Sequence, residues 1–198
     1  NLVRTAFKKK REALRNLLRS QDIQNAVIFC NRKRDISTLL SSMKRHGFLA
    51  TGLHGDMTQS ARLAALDEFK NGQIPLLVAS DVAARGLDIP SVSHVFNFDV
   101  PSNAEDYVHR IGRTGRAGRH GHAFTLIAGE DDEKAILAIE KLTGRSIPVL
   151  SNTDWRSKKE HPTDDAGKST KKHRESRTIN KTASDQLGPE EKNPDEAD

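Results

Sequence analysis

Five short runs, apolar almost throughout, narrow the fold of this chain more than any other feature. They span residues 26–30, 50–53, 75–79, 94–98 and 123–127. A strand with one wet face alternates polar and apolar residues. A run without that alternation needs cover on both faces, as strands of parallel sheets do. Helical periods fill the gaps. Ile36, Leu39, Leu40 and Met43 share one face, as do Ala61, Ala65, Leu66 and Phe69. Ser102-Asn103-Ala104-Glu105 reads as a capping box that opens a helix through Tyr107. Acids at 130–133 suit a helix N-terminus, Ala135, Ile136, Ile139 and Leu142 form its apolar face, and Gly144 suits its C-terminal cap. Strands alternating with helices imply right-handed βαβ units around a mostly parallel central sheet, an α/β fold. Ligands of such sheets bind beyond the carboxyl ends of the strands. The loops at 31–34, 54–59, 80–90 and from 99 onward are therefore where chemistry is expected.

The pattern stops near residue 150. From 151 onward only Trp155, Ile179 and Leu187 are large and apolar. Such a stretch buries too little surface to offset its chain entropy, so 1–150 is expected to be the folded domain and 151–198 a disordered, charged tail. The tail holds ten Lys/Arg and eleven Asp/Glu, a net of −1 against +5 for the whole chain, which leaves +6 on residues 1–150. The basic excess thus belongs to the folded part and favours a polyanionic partner. Within the tail, 156–181 carries nine basic and four acidic residues, a block able to touch the phosphates of a nucleic acid or simply to stay solvated.

No apolar run approaches the roughly 18 residues a membrane span needs. The first residues show no charged segment leading into an apolar stretch, so no secretory signal is visible. Beginning at Asn1 rather than Met, the chain reads as a fragment whose N-terminal edge is trimmed. Cys30 is the single cysteine, which excludes an intramolecular disulfide and a cysteine-based metal cluster. It reads as a small buried hydrophobe, and a reducing, cytoplasmic setting fits.

The segment 109–121 is His-Arg-Ile-Gly-Arg-Thr-Gly-Arg-Ala-Gly-Arg-His-Gly. Its four arginines, at 110, 113, 116 and 119, recur every third residue and are separated by glycines at 112, 115 and 118. Guanidinium offers a permanently charged planar fork that matches phosphate oxygens. Glycine lets the backbone bend and approach a ligand. Crowding the cations costs repulsion that an anion relieves, although a solvated basic loop would use the same residues. The glycines do not form the dinucleotide fingerprint, and the chain contains no G-x-x-x-x-G-K-[ST]. Arginines without a P-loop point to fingers that reach a nucleotide bound elsewhere and stabilise its transferring phosphoryl group.

Two further loops carry candidates. In 80–90, Ser80 offers a hydroxyl to a phosphate and Asp88 an acceptor for ribose hydroxyls; a helix cap and a turn are the plainer roles. In 54–62, Gly55 and Thr58 suit a turn and a cap. Gln59 and Arg62, three apart, fall on one helix face, where they suit a phosphate backbone or a hydrogen bond to each other. His54 lacks partners at metal-ligand spacing.

Together Val27-Ile28-Phe29-Cys30-Asn31, the stretches 54–62 and 80–89, and 109–118 resemble, in order and separation, motifs IV, IVa, V and VI of DEAD-box RNA helicases. The resemblance covers about residues 7–145. The His that opens motif VI sets the chain apart from related helicase groups, including DNA translocases, which usually open it with Gln. Asn31-Arg32-Lys33-Arg34-Asp35 and Phe96-Asn97-Phe98-Asp99-Val100-Pro101 are similar to the RhlE-like bacterial branch.

The resemblance implies a RecA-like three-layer domain, the second of two, with ATP and RNA bound across their interface. It assigns Arg113 and Arg116 to the γ-phosphate, Gly86 and Asp88 to the nucleotide side, and His109 and Arg110 to interdomain contacts around the nucleotide. Asn31, Gly55, Gln59, Arg62 and Ser80 fall on the RNA side, among sugar and phosphate contacts. Arg32 and Ser80 stand where many relatives have Thr. Walker A lysine, Asp-Glu-Ala-Asp box and Mg²⁺ site would belong to the first domain, so the fragment alone is expected to be inactive. A stand-alone, non-catalytic RNA-binding module is the alternative.

Overall fold

The computed structural model describes residues 1–151; the expected tail, apart from Ser151, lies outside the described residues. Six strands form one sheet: β1 (Leu2–Arg4), β2 (Ala26–Phe29), β3 (Ala50–Leu53), β4 (Leu76–Ala79), β5 (His94–Asn97) and β6 (His122–Ile127). Their order is β1-β6-β5-β2-β4-β3, and every pairing is parallel. The five apolar runs are the last five strands, each within one residue of the expected limits.

The helices are α1 (Lys10–Ser20), α2 (Lys33–Arg45), α3 (Gln59–Lys70), the single turn α4 (Asp81–Ala84), α5 (Ala104–Ile111) and α6 (Glu130–Thr143). Alternation along the strands divides the core into layers. Ile28, Cys30, Val78, Phe96 and Phe124 point to one face and meet Leu14 and Leu17 of α1 and Ile36, Leu39 and Met43 of α2. Val27, Phe29, Leu77 and Val95 point to the other and meet Leu66 and Phe69 of α3 and Ala83 of α4. Ile127 and Leu2 at the sheet edge pack with Tyr107 of α5 and Ile136 and Ile139 of α6. Cys30 is fully buried, and burial pushes its thiol pKa far above the ordinary range, as an inert core residue requires.

Several local expectations change. β1 and α1 precede the first anticipated strand, although Ala13, Leu14, Leu17 and Leu18 all bury one face of α1. Leu142 and Ala61 are exposed rather than buried. The cap of α5 sits one residue later than expected: the side chain of Asn103, not Ser102, accepts from the Asp106 N–H at 2.7 Å. That helix continues past Tyr107, so His109 and Arg110 belong to its last turn. Gly144 does cap α6, in the left-handed conformation.

At the amino ends of β5 and β6, opposite the expected site, His94 is 3% exposed and stacks on His122 with 5.1 Å between ring centroids. Phe96 and Phe124 continue the ladder. Burial first, and His122 second, pull the His94 pKa below its ordinary 6.5, against a smaller upward pull from Asp22. The unfolded chain therefore takes up the proton at higher pH than the folded one, so stability falls as pH drops below 6.5. Thermal melts at about pH 7 and about pH 5 should show a smaller acid-side loss for His94→Phe than for the unaltered chain. Equal losses would remove His94 as the titrating group.

Candidate nucleotide and nucleic-acid interface

Four loops leave the carboxyl ends of the central strands, at Asn31 after β2, His54 after β3, Ser80 after β4 and Asp99 after β5. α5 starts above this edge and runs back along one face, bringing Arg110 beneath the loops. Arg110 is only 1% exposed. Its Nε and Nη2 donate to the two carboxylate oxygens of Asp81 at 2.7 and 2.6 Å. Nη1 donates to the Asp99 carbonyl at 2.7 Å and to Asn97 Oδ1 at 3.4 Å, and Nη2 also donates to Asn31 Oδ1 at 2.7 Å. Its guanidinium carbon stands 5.2 Å from the centre of the Phe29 ring. All five N–H donors of the fork are engaged.

Arg110, expected among the interdomain contacts around the nucleotide, therefore spends its donors within the domain. Arg113, Arg116 and Arg119 do not share this fate, because α5 ends at Ile111 and they follow it in the turn. Asn31 is engaged similarly. Its Oδ1 accepts from Arg110 and its Nδ2 donates to the Val100 carbonyl at 2.7 Å, so its side chain braces the domain. The Asn31 N–H donates to Asp99 Oδ2 at 3.1 Å, and Asp99 Oδ1 accepts from the buried Lys10 ammonium at 2.9 Å. Lys10, Asp81, Asn97 and Asp99 were given no role from the sequence. Only Asn97, a polar residue amid Val95, Phe96 and Phe98, carried a signal there.

The remaining RNA-side candidates gather around α3 and α4. Thr58 caps α3, with Gly55 exposed in the turn before it. Arg62 Nη1 donates to Gln59 Oε1 at 3.3 Å, and Nη2 donates to the Ala83 carbonyl at 2.9 Å. The mutual hydrogen bond thus exists, and the second contact ties α3 to α4. Ser80 is 9% exposed and caps α4 by accepting from the Ala83 N–H at 3.4 Å; its own O–H remains a donor.

Below this edge, Arg113 ends the first open turn after α5. The carbonyl of Arg113 accepts from the Val92 N–H at 2.9 Å, and Thr114 Oγ1 donates to the Val92 carbonyl at 2.6 Å. The backbone then turns through Gly115, Ala117 and Gly118, all with positive φ. A Cβ on Gly121 would lie 2.3 Å from the Gly115 nitrogen, so only glycine lets the returning chain pass. The guanidinium of Arg113 has no hydrogen bond or ion pair among the described residues. Burial, then Arg116, lower its pKa, and Asp88 acts the other way. The like charges are thus held close, as an anion site requires. Arg116 Nε donates to the Gly112 carbonyl, which leaves its Nη groups outward.

Gly86, with φ +74°, turns the chain toward Asp88, whose exposed carboxylate meets Lys70 at 3.1 Å. His109 and Arg113, one helical turn apart, line a cavity of about 330 Å³ with Arg85, Asp106 and Phe29. The candidates thus fall into two groups, His109, Arg113, Arg116, Gly86 and Asp88 around the end of α5 and Gly55, Gln59, Arg62 and Ser80 at the strand ends, with Arg110 and Asn31 bracing the loops.

The family described as helicase conserved C-terminal domain matches residues 9–118. CshA of Bacillus subtilis (strain 168), a DEAD-box ATP-dependent RNA helicase, is 50% identical over 141 residues, covering 71% of this chain and 28% of that protein. CshA of Listeria monocytogenes is 44% identical over 154 residues, 77% of this chain and 29% of that protein. The chain therefore spans under a third of these relatives. Among solved structures, the C-terminal domain of the DEAD-box protein Dbp5 has a TM-score of 0.70 and 32% identity, covering 75% of this chain and 87% of that one. The E. coli DEAD-box protein SrmB, bound to regulator of ribonuclease activity A, has a TM-score of 0.69 and 33% identity, covering 82% and 96%. The chain belongs to the C-terminal, RecA-like domains of DEAD-box RNA helicases.

Breaking the Arg110 cluster should unfold the strand ends. Arg110→Met keeps the stem but leaves Asp81 uncompensated. Denaturant melts should show a loss of about 3 kcal/mol, toward the lower end for broken buried pairs because 23% of the Asp81 side chain is exposed. A loss below about 1 kcal/mol, the scale of surface pairs, would refute the bracing role.

Proposed function

We propose that this chain is the second motor domain of an ATP-dependent RNA helicase and that it completes the ATP site of a preceding domain. The observation that carries this reading is the unpaired Arg113 guanidinium held beside Arg116. The residues present fit a polyphosphate. In the closed enzyme Arg113 and Arg116 donate to γ-phosphate oxygens and offset the charge that builds during transfer. ATP supplies the phosphoryl group, and its Mg²⁺ is assigned to the first domain, with the P-loop. Asp88 accepts from the ribose, Gly86 lets the backbone approach, and His109 faces the first domain from the cavity rim.

On the other side Gln59 and Arg62, at the start of α3, Ser80 and the Gly55 turn contact the sugar-phosphate backbone of RNA. A Dbp5 structure from S. cerevisiae was solved with RNA and ADP BeF3 bound, at TM-score 0.68 and 32% identity. That supports the same division of labour here. The net +6 of residues 1–150 adds a sequence-independent attraction to RNA. A cytoplasmic location and the RhlE-like affinity stay part of this proposal, the latter resting on the wording around Asn31 and Asp99.

The two-sided arrangement gives the brace its purpose. Arg110 belongs to the helix that leads to the phosphate-facing arginines, and its acceptors belong to the loops that start the RNA side. Neither group can shift far without the other.

Arg116→Ala in the full-length protein should lower RNA-stimulated ATP turnover by about a thousandfold or more while RNA binding stays measurable. In the same assay the 198-residue chain alone should hydrolyse no ATP. Unchanged turnover in the variant, or hydrolysis by the chain alone, would overturn the finger assignment.

A further inference from the structure

A second cavity, of about 530 Å³, opens at the amino ends of β5 and β6, on the edge opposite the loops described above. It shares no lining residue with the cavity beside Arg113. Arg119, the last arginine of the run, with a part in neither the ATP site nor the brace, stands in its wall beside His120 and His122. The side chains of Arg119 and His120 have no hydrogen bond or ion pair among the described residues, and the His122 ring meets only His94. The opposite wall is of another kind. It is formed where α1 ends, at Ser20 and Gln21, and continues through Asp22 and Gln24. A helix C-terminus carries partial negative charge, to which the Asp22 carboxylate adds.

The cavity is therefore bipolar: a cationic, donor-rich wall faces an acceptor-rich one. A bare anion would satisfy the first wall and be repelled by the second. A ligand with a phosphate at one end and hydroxyls or an amine at the other would satisfy both. The volume lies within the range of small-molecule sites. We propose that this cavity binds a small phosphomonoester with a hydroxyl-bearing body, of the nucleoside or sugar monophosphate class. Its phosphate lies between Arg119, His120 and His122, and its hydroxyls donate to Asp22 and the Gln24 side-chain carbonyl.

Chemistry favours a phosphomonoester over a carboxylate. A phosphomonoester loses its second proton at about pH 6, so it is largely a dianion at neutral pH and is drawn more strongly to the Arg119 cation than a monoanionic carboxylate. The fork of Arg119 adds paired donors suited to phosphate oxygens. The stack of His94 beneath His122 fixes the floor, so the site does not have to order its own base. The site does not depend on the ATP-site reading, because it draws on none of that site's residues.

The test is a titration of the 198-residue chain followed by the imidazole C2–H signals of His120 and His122. Four probes separate the parts of the ligand: ribose 5-phosphate, adenosine 5′-monophosphate, adenosine and inorganic phosphate. The two monoesters should shift both signals saturably below about 10 mM. Adenosine should not, and inorganic phosphate should bind more weakly than the esters. Arg119→Gln, at an exposed loop position, should weaken the esters at least about tenfold, the scale of one charge-assisted hydrogen bond. Asp22→Asn should weaken the esters but not inorganic phosphate, whereas Arg113→Gln should leave these local shifts unchanged. Shifts that stay linear in concentration, equal affinity in Arg119→Gln, or inorganic phosphate binding as tightly as the esters would each overturn the proposal.

Discussion

A single buried guanidinium organises the working edge of this domain. Arg110 comes from α5, yet its hydrogen-bond partners come from the ends of three strands: Asn31 after β2, Asp81 after β4, and Asn97 and Asp99 at and after β5. Carrying a cation to 1% exposure is costly unless each donor is met, and here each is. The consequence is rigidity where a parallel sheet would otherwise end in separate loops. The Lys10 ammonium extends the network through Asp99, and thus ties the start of α1 to the same edge.

Because Arg110 is consumed inside, the periodic arginine run divides its labour by position. Helical geometry buries Arg110. The helix ends before Arg113, which is half-buried, and Arg116, which is exposed. The left-handed turn through Gly115, Ala117 and Gly118 then carries Arg119 around to the far edge of the sheet. One run of similar residues thus serves a brace, an anion pair and a separate cavity wall. Gly121 makes this possible, since the chain returns to β6 in contact with Gly115, at a distance no side chain tolerates.

Much of the architecture was legible beforehand because strands buried on both faces leave an unbroken apolar signature. The five runs became β2 to β6, and the periods of Ile36, Leu39 and Met43 and of Leu66 and Phe69 became buried helix faces. β1 escaped because three residues carry no period, and because its partner, β6, lies more than a hundred residues away. The four-residue α4 escaped because one turn needs only a cap, here Ser80, and no apolar stripe.

Residue type alone pointed toward an anion: guanidinium groups in close succession, glycines where the backbone turns, and no P-loop among 198 residues. Which arginine is buried and which keeps free donors could not follow from type, since Arg110, Arg113, Arg116 and Arg119 are chemically identical. Burial, hydrogen-bond partners and the direction of the helix decided it. These are properties of residues distant in sequence, such as Asn31 and Arg110, 79 positions apart and 2.7 Å from contact atom to contact atom. The sequence determined which groups are available and the layers they can form. Only the tertiary structure decided which donors are spent internally and which remain to meet a ligand.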